Sequence, residues 1–568
     1  MHEVLTEGPA RAPVMIVGAG PVGILSAILL ARQGLASVVV ERRASRSLAP
    51  KAHALNPRSL EICKAAGIDL DRIYARQTPP DDGKTVRFMS RVSGLELGCL
   101  PYERQDPEVR TLTPTPLINI AQPDLEEVLL QAAREHPLIT MRYGWEWRSA
   151  EQDGDGVTSR IQAGDTPERA EHHRWLIACD GAGSKVRRTF NIGMEGTAGF
   201  VNTVNIHFKA DLRPLTGNRP AILYWILDPA AAGTFIVYNL ASSIVLAHRY
   251  DPTQVSVETF TDERCRELVF NAIGNASIPI EILGANPWVM TAQVAARYRD
   301  GDIFLAGDAA HRFPPTGGLG LNTGIADAHN LAWKLAAVWK GYSLDPLLDS
   351  YEAERRPVAV VNSNQSFVNA DRLLELFDLV GTSSTGSDPR SFPDRLADPE
   401  FRAAVSRCVQ KQREHFDSLA LQLGYIYGEP NNVPKDVSAY IPAFRRGARM
   451  PHAWISRLGK TASTLDLLSD ASFTLITGEK DDLWSEAAAR LSFPVQVCRH
   501  NMNFVDDDGR WSRECGVTAG GGLFVRPDGH IALQATAAAN VDDAKRRLTE
   551  AAECQVDLNR VGTHTRST

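Results

Sequence analysis

PVMIVGAGPVGILSAILLARQGLASVVVERR, Pro13 to Arg43, decides the fold of this chain. Val14 to Val17 form a short apolar run with strand character. Gly18, Gly20 and Gly23 follow as G-x-G-x-x-G, with Pro21 and Val22 between them. The first glycine permits a tight turn, the second lets the backbone approach a pyrophosphate, and the third lets the next helix pack closely on the strand. Ile24 to Gln33 read as that helix, with its N-terminal dipole facing the phosphates. Ser37 to Val40 read as a second strand that delivers Glu41 to a ribose. An acid here favours the unphosphorylated ribose of FAD or NAD over the 2′-phosphate of NADP. This is a complete β-α-β unit, and it leads us to expect an α/β fold around a Rossmann-like dinucleotide domain.

Two further segments repeat the order of strand, turn and helix. IFLAGDAAHRFPPTGGLGLNTGIADAHNLAWKL, Ile303 to Leu335, begins as a buried strand over Ile303 to Ala306 and ends as a helix from about Thr323. Between them, Gly307 and Asp308 place a carboxylate where it can hold a sugar-like hydroxyl. Pro314 and Pro315 shape a turn. Gly317, Gly318 and Gly320 lack Cβ atoms, so the N–H groups of Leu319, Gly320, Leu321 and Asn322 can approach a planar ring and point at negative charge on it. RWLIACDGAGSKVRRTFNI, Arg174 to Ile192, is the third such segment, with Asp180 and Gly181 at its strand end.

Together the three motifs resemble those of the single-component FAD-dependent aromatic hydroxylases, and the resemblance spans nearly the whole chain. The phenol, 2,4-dichlorophenol and 2-hydroxybiphenyl monooxygenase branch is matched further by PKAHALNPRSLEI (Pro50 to Ile62), NIAQPDLEEVL (Asn119 to Leu129), YEAERRP (Tyr351 to Pro357) and HFDSLALQLGYIYG (His415 to Gly428). The resemblance implies bound FAD, transient NAD(P)H, and O₂ activated as a flavin C4a-hydroperoxide that hydroxylates a phenolic or polyphenolic ring. A Baeyer–Villiger or tailoring oxygenation of a polyketide is the alternative within this fold. A flavoprotein oxidase or reductase that inserts no oxygen is the alternative from another class.

At 568 residues the chain is too long for one core. The FAD-binding domain is expected at residues 1–200 and 284–380. The intervening 201–283 contains AILYWIL, GTFIVYNL and SIVLAHRY, strand patterns that suggest an antiparallel substrate sheet. Residues 381–438 read as a helical linker region whose polar start, Gly381 to Asp394, is a candidate mobile connection. Residues 439–568 read as short strands and helices, and they resemble a thioredoxin-like domain. Cys515 has no CxxC partner there, so the expected role is structural, in support of the FAD domain or in a homodimer contact. The net charge of −7 argues against a nucleic-acid partner. The acidic N-terminus does not read as a secretory signal, and no segment reads as a membrane span. The eight cysteines lack metal-ligand spacing, so no metal site is expected, and they read as reduced thiols of a cytoplasmic protein.

The resemblance also suggests individual roles. His53 stands where the hydroxybiphenyl branch carries a histidine and phenol hydroxylases carry an acid, which makes it the candidate catalytic base for a phenolic proton. Arg42 is expected near the adenine, Lys51 near the pyrophosphate, and Gln122 against FAD. Arg187 and Arg188 could attract NAD(P)H phosphates, and His311 is expected to order its turn by hydrogen bonding. Tyr224, Trp225, Phe235, Tyr238 and Trp288 are candidates for a stacking wall around the substrate, although on alternating strands only about half can face one pocket. No dedicated cationic anchor stands out, which favours a neutral phenol or a larger polyphenol.

Overall fold

The computed structural model describes residues 12–47, 49–381, 391–429, 434 and 436–553. The β-α-β unit forms as its sequence requires. Strand Val14–Val17 is fully buried, helix Pro21–Arg32 follows the glycine turn with Pro21 in its first turn, and strand Ser37–Glu41 returns parallel to the first. The helix thus starts three residues earlier than the apolar pattern suggests, because proline and glycine are well tolerated at a helix start.

Six strands make the central sheet, in the order Arg299–Asp300, Ile303–Leu305, Trp175–Ala178, Val14–Val17, Ser37–Glu41, Ile139–Tyr143. All pairs are parallel except the first. The three motif strands are therefore neighbours, and their turns leave the same edge, at the carboxyl ends where open α/β sheets bind ligands.

A second, eight-stranded sheet runs His311–Arg312, Glu281–Ala295, Met194–Lys209, Ser243–Arg249, Gly233–Asn239, Leu223–Ile226, Thr85–Met89, Glu96–Pro101. It is wider than the 201–283 segment. Its two long strands extend beyond both ends of that segment, and Thr85–Met89 joins in parallel to Leu223–Ile226. Hairpin patterns reveal local pairing, but this parallel contact links distant parts of the chain and leaves no local signal. The long helix Asp349–Val380 and the short helices Phe392–Ala397 and Pro399–Gln410 cover the sheet's far end. Most of the polar stretch expected to be a mobile connection, residues 382–390, lies outside the described residues.

The C-terminal unit has a four-stranded sheet ordered Val495–Arg499, Phe473–Thr477, Gly522–Val525, Ile531–Ala535. One parallel β-α-β pair is followed by an antiparallel hairpin and the helix Val541–Glu553, the arrangement of a thioredoxin-like fold. Cys515 is buried, and burial pushes its thiol up to about 12. Buried charges join this unit to the FAD domain. Arg526 reaches Glu354 through two contacts of 2.6 and 2.9 Å, and Arg449 Nε donates to Glu61 at 2.8 Å; within the FAD domain Lys334 Nζ also donates to Glu354, at 2.7 Å. Among the described residues no helix is long and apolar enough to cross a membrane.

Candidate active site

A cavity of about 1490 Å³ opens between the two large sheets. Its walls include the glycine turn, Glu41, Arg42, Lys51, His53, Gln122, Asp180, Asp308, Pro315, Gly318, Gly320 and Leu321. The turns that the sequence places on one dinucleotide site therefore share one space.

The three glycines of the first turn differ in kind. A Cβ on Gly18 would lie 2.3 Å from the Cys179 carbonyl oxygen, and one on Gly23 would lie 2.0 Å from that of Gly18. Both serve packing of the backbone on itself. A Cβ on Gly20 would meet nothing within 4 Å, so that glycine keeps the way open for a ligand. Glu41 accepts from Ala19 N–H at 3.1 Å and Arg43 N–H at 2.9 Å, which fixes its carboxylate at the cavity rim.

Asp308 is exposed on the cavity wall, and its carboxylate has no hydrogen-bond partner among the described residues. Loss of water raises its pKa from the ordinary aspartate value, while His311, Lys51 and Arg312 oppose the rise. Its turn is rigidly held. Asp327 accepts from the Gly307 N–H at 3.2 Å, from His311 Nε2 at 2.8 Å and from Arg355 Nε at 2.9 Å. Arg187 is buried and donates to the Ala309 carbonyl at 3.0 Å, so it braces this turn and does not await a nucleotide phosphate. Arg188 lines the cavity and bonds the Gly183 carbonyl at 2.6 Å.

The helix Leu319–Trp339 starts four residues earlier than the apolar pattern suggests, because Gly318, at φ 62°, takes the left-handed conformation and caps it. Its first four N–H groups therefore have no acceptor within the helix, and the first turn lines the cavity. A free carboxylate, an open glycine cradle and a helix N-terminus are the groups that a ribityl chain, a pyrophosphate and an electron-rich ring require, so the residues present fit FAD.

Asn322 serves the site from behind. Its side chain accepts from Asn56 N–H at 3.0 Å and donates to the Ala54 carbonyl at 3.0 Å, and the residue lies outside the cavity lining, so the expected cofactor contact becomes a support for the loop behind it. It thereby ties the His53 loop to the helix start. Gln122 does similar work, accepting from Ala52 N–H at 3.4 Å and donating to Glu126 at 2.7 Å. Asp180 caps its helix through Lys185 N–H at 2.7 Å, while its other oxygen is buried without a partner.

His53 lines the cavity with Nδ1 2.9 Å from Asn119 Oδ1. Asn119 Nδ2 donates to the Gly83 carbonyl at 3.4 Å, which assigns Oδ1 as acceptor and places the imidazole proton on Nδ1. Burial lowers the His53 pKa from 6.5, with the Asn119 bond opposing, so the ring is neutral with its Nε2 lone pair free. Asn119 was absent from the sequence reading as a partner. The contact arises from the two-residue ladder that pairs Ala54 with Asn119, too short to show as a pattern.

Alternation divides the aromatic candidates. Trp225 and Trp288 line the cavity. Tyr224 and Phe235 point to the opposite face, where they pack with Phe208, Cys265 and Val269, which removes them from the substrate wall. Tyr238 donates to the Lys51 carbonyl at 2.8 Å and meets His53 edge-on at 6.2 Å, so it braces the His53 loop. Phe377, His415 and Arg249 line the cavity and were missed as site residues; the first two lie far along the chain on elements that only tertiary folding brings here.

Two family models match, FAD binding domain over residues 11–366 and aromatic-ring hydroxylase, C-terminal, over residues 444–555. The chain is 31% identical to 2,4-dichlorophenol 6-monooxygenase of Cupriavidus pinatubonensis, covering 94% of this chain and 96% of that protein. It is 32% identical to aklavinone 12-hydroxylase RdmE of Streptomyces purpurascens, covering 94% and 98%. Among solved structures, the flavin-dependent monooxygenase PieE in complex with FAD and substrate superposes with a TM-score of 0.88 at 31% identity, covering 97% of this chain and 100% of that one. A ternary complex of aklavinone-11 hydroxylase with FAD and aklavinone gives 0.79 at 30% identity, covering 98% and 100%. With its FAD cradle, its second sheet and its thioredoxin-like unit all in place, the chain belongs to the FAD-dependent aromatic-ring hydroxylase family.

Proposed function

We propose that this enzyme hydroxylates a polycyclic phenol, with NAD(P)H as reductant, O₂ as the oxygen source and His53 as the base. The observation that supports it is a chamber whose base stands at one end of a long sheet floor. Tyr238, which touches His53, lies six residues along its strand from the level of Arg249, given the Thr234–Ala247 pairing. At about 3.3 Å per residue that is roughly 20 Å of floor. Leu223, Trp225, Thr234, Ile236, Val245 and Ala247 face the chamber along it. A single ring would leave most of this space to water.

Bound FAD would supply the chemistry that activates O₂ for transfer to the ring. Glu41, Asp308 and the N–H groups of Leu319, Gly320 and Leu321 would hold it, and the helix dipole would favour negative charge on the ring. Ionising a phenol of pKa about 10 at pH 7 costs roughly 4 kcal/mol. His53 Nε2 takes that proton, and Asn119 Oδ1 stabilises the imidazolium that results. NAD(P)H would dock transiently, since the sequence has one complete G-x-G-x-x-G unit and FAD would take it.

The test is a graded series of phenol, 2-naphthol and 2-anthrol given to the FAD-loaded protein with NADH or NADPH. The proposal expects coupling of reductant oxidation to hydroxylated product to rise with ring number. Best coupling with phenol overturns the polycyclic reading, and hydrogen peroxide as the sole oxygen product overturns oxygen insertion.

A further inference from the structure

His415 is out of place in the chamber wall. It is 4% exposed, stacks on Phe416 at 4.1 Å, and meets Trp225 edge-on at 6.1 Å. Among the described residues neither ring nitrogen has a hydrogen-bond partner, and Nδ1 is enclosed. The ring nonetheless lines the cavity. Burial lowers its pKa to about 3, so the imidazole is neutral and carries one proton.

Where that proton sits follows from cost. A buried N–H without an acceptor is a severe penalty, and an unfilled acceptor lone pair a milder one. The enclosed Nδ1 therefore keeps the lone pair, and Nε2, on the cavity edge, bears the hydrogen. An N–H presented to an aromatic-walled chamber asks for an acceptor on the ligand. A phenol oxygen is a weak acceptor because its lone pair is shared with the ring, whereas an aryl ketone or quinone oxygen is a good one. Arg249 adds to the same demand. It lines the cavity, lies 6.0 Å from the Phe377 ring centroid, and forms no ion pair among the described residues.

Building on the polycyclic reading above, we infer that His415 donates from Nε2 to a carbonyl oxygen of the substrate, selecting hydroxyaryl ketones and quinones over bare hydroxyarenes. His415 thereby determines specificity and leaves proton removal to His53.

The experiment measures dissociation constants of 2-hydroxyanthraquinone and 2-anthrol for the FAD-loaded protein by fluorescence titration, with His415→Phe, His415→Leu and His415→Gln alongside. Comparing the ratio of the two constants across variants cancels intrinsic differences between the ligands. Loss of one hydrogen bond predicts that the wild-type preference for the quinone falls about tenfold in His415→Phe, with 2-anthrol affinity retained. His415→Gln, which keeps a donor, restores part of it. His415→Leu replaces the phenylalanine variant if that one fails to retain flavin. An unchanged ratio in the apolar variants overturns the inference while leaving the polycyclic reading intact. Failure of the wild type to bind either compound overturns both.

Discussion

A neutral histidine serves as a base only when its own proton is parked on the far nitrogen. At His53 that is the work of Asn119, whose carbonyl takes the Nδ1 proton at 2.9 Å. Burial places the folded-state pKa below 6.5, so a base at this position would stay active into mildly acidic solution and be lost only when the ring protonates. In kcat/KM against pH, the acidic limb should therefore fall below 6.5. His53→Ala should lower single-turnover hydroxylation by about 10²- to 10⁴-fold, the range general-base catalysis supplies. A limb at or above 6.5, or an unchanged rate in His53→Ala, removes His53 from the reaction. The motif PKAHALNPR made His53 legible by its position in the chain. Asn119 and Asn322, which orient its loop, are short polar residues whose partners lie 66 and more positions away, so nothing local marks them.

At the scale of elements, the first turn gives a contrast between packing and binding. Ala at Gly18 or Gly23 drives a Cβ into backbone oxygen, whereas a side chain at Gly20 enters open space. Gly20→Val should fold with nearly unchanged thermal stability and purify without bound FAD, read by flavin absorbance against melting temperature. Gly23→Ala should lower the melting temperature itself. Equal flavin content in Gly20→Val and the wild type contradicts the cradle. These motifs were readable because each is a contiguous strand, turn and helix with glycines at fixed offsets. The second sheet was only partly readable. Its hairpins show as alternation, and the same alternation warned that half the aromatics face away. Thr85–Met89 joins it through a long-range parallel pairing that sequence periodicity does not report.

Among the described residues, four histidines are both buried and held well below the ordinary imidazole range. Burial lowers the pKa of His329, His415 and His530 to about 3 and of His452 to about 4, with neighbouring arginines adding to the effect on all but His415. An unfolded chain protonates these rings below about pH 6.5, and the folded protein does not. Stability is thus full above pH 6.5 and drains as pH falls toward 4, by up to about 1.4 kcal/mol per pH unit for each ring. Glu103, raised to about 7 by burial, opposes this, as do Glu126, Asp302, Asp308 and Asp417, whose pKa burial also raises. The melting temperature should accordingly drop steeply between pH 6.5 and 4.5. A flat profile over that window contradicts neutral burial of the four rings.

Isotopic labelling shows directly whether one cavity holds FAD, a polycyclic phenol and a base for oxygen insertion. The FAD-loaded protein is given NAD(P)H and 2-hydroxyanthraquinone under ¹⁸O₂, and the product is weighed by mass spectrometry. The expected product carries one labelled oxygen. Reductant consumption with no labelled product would contradict it.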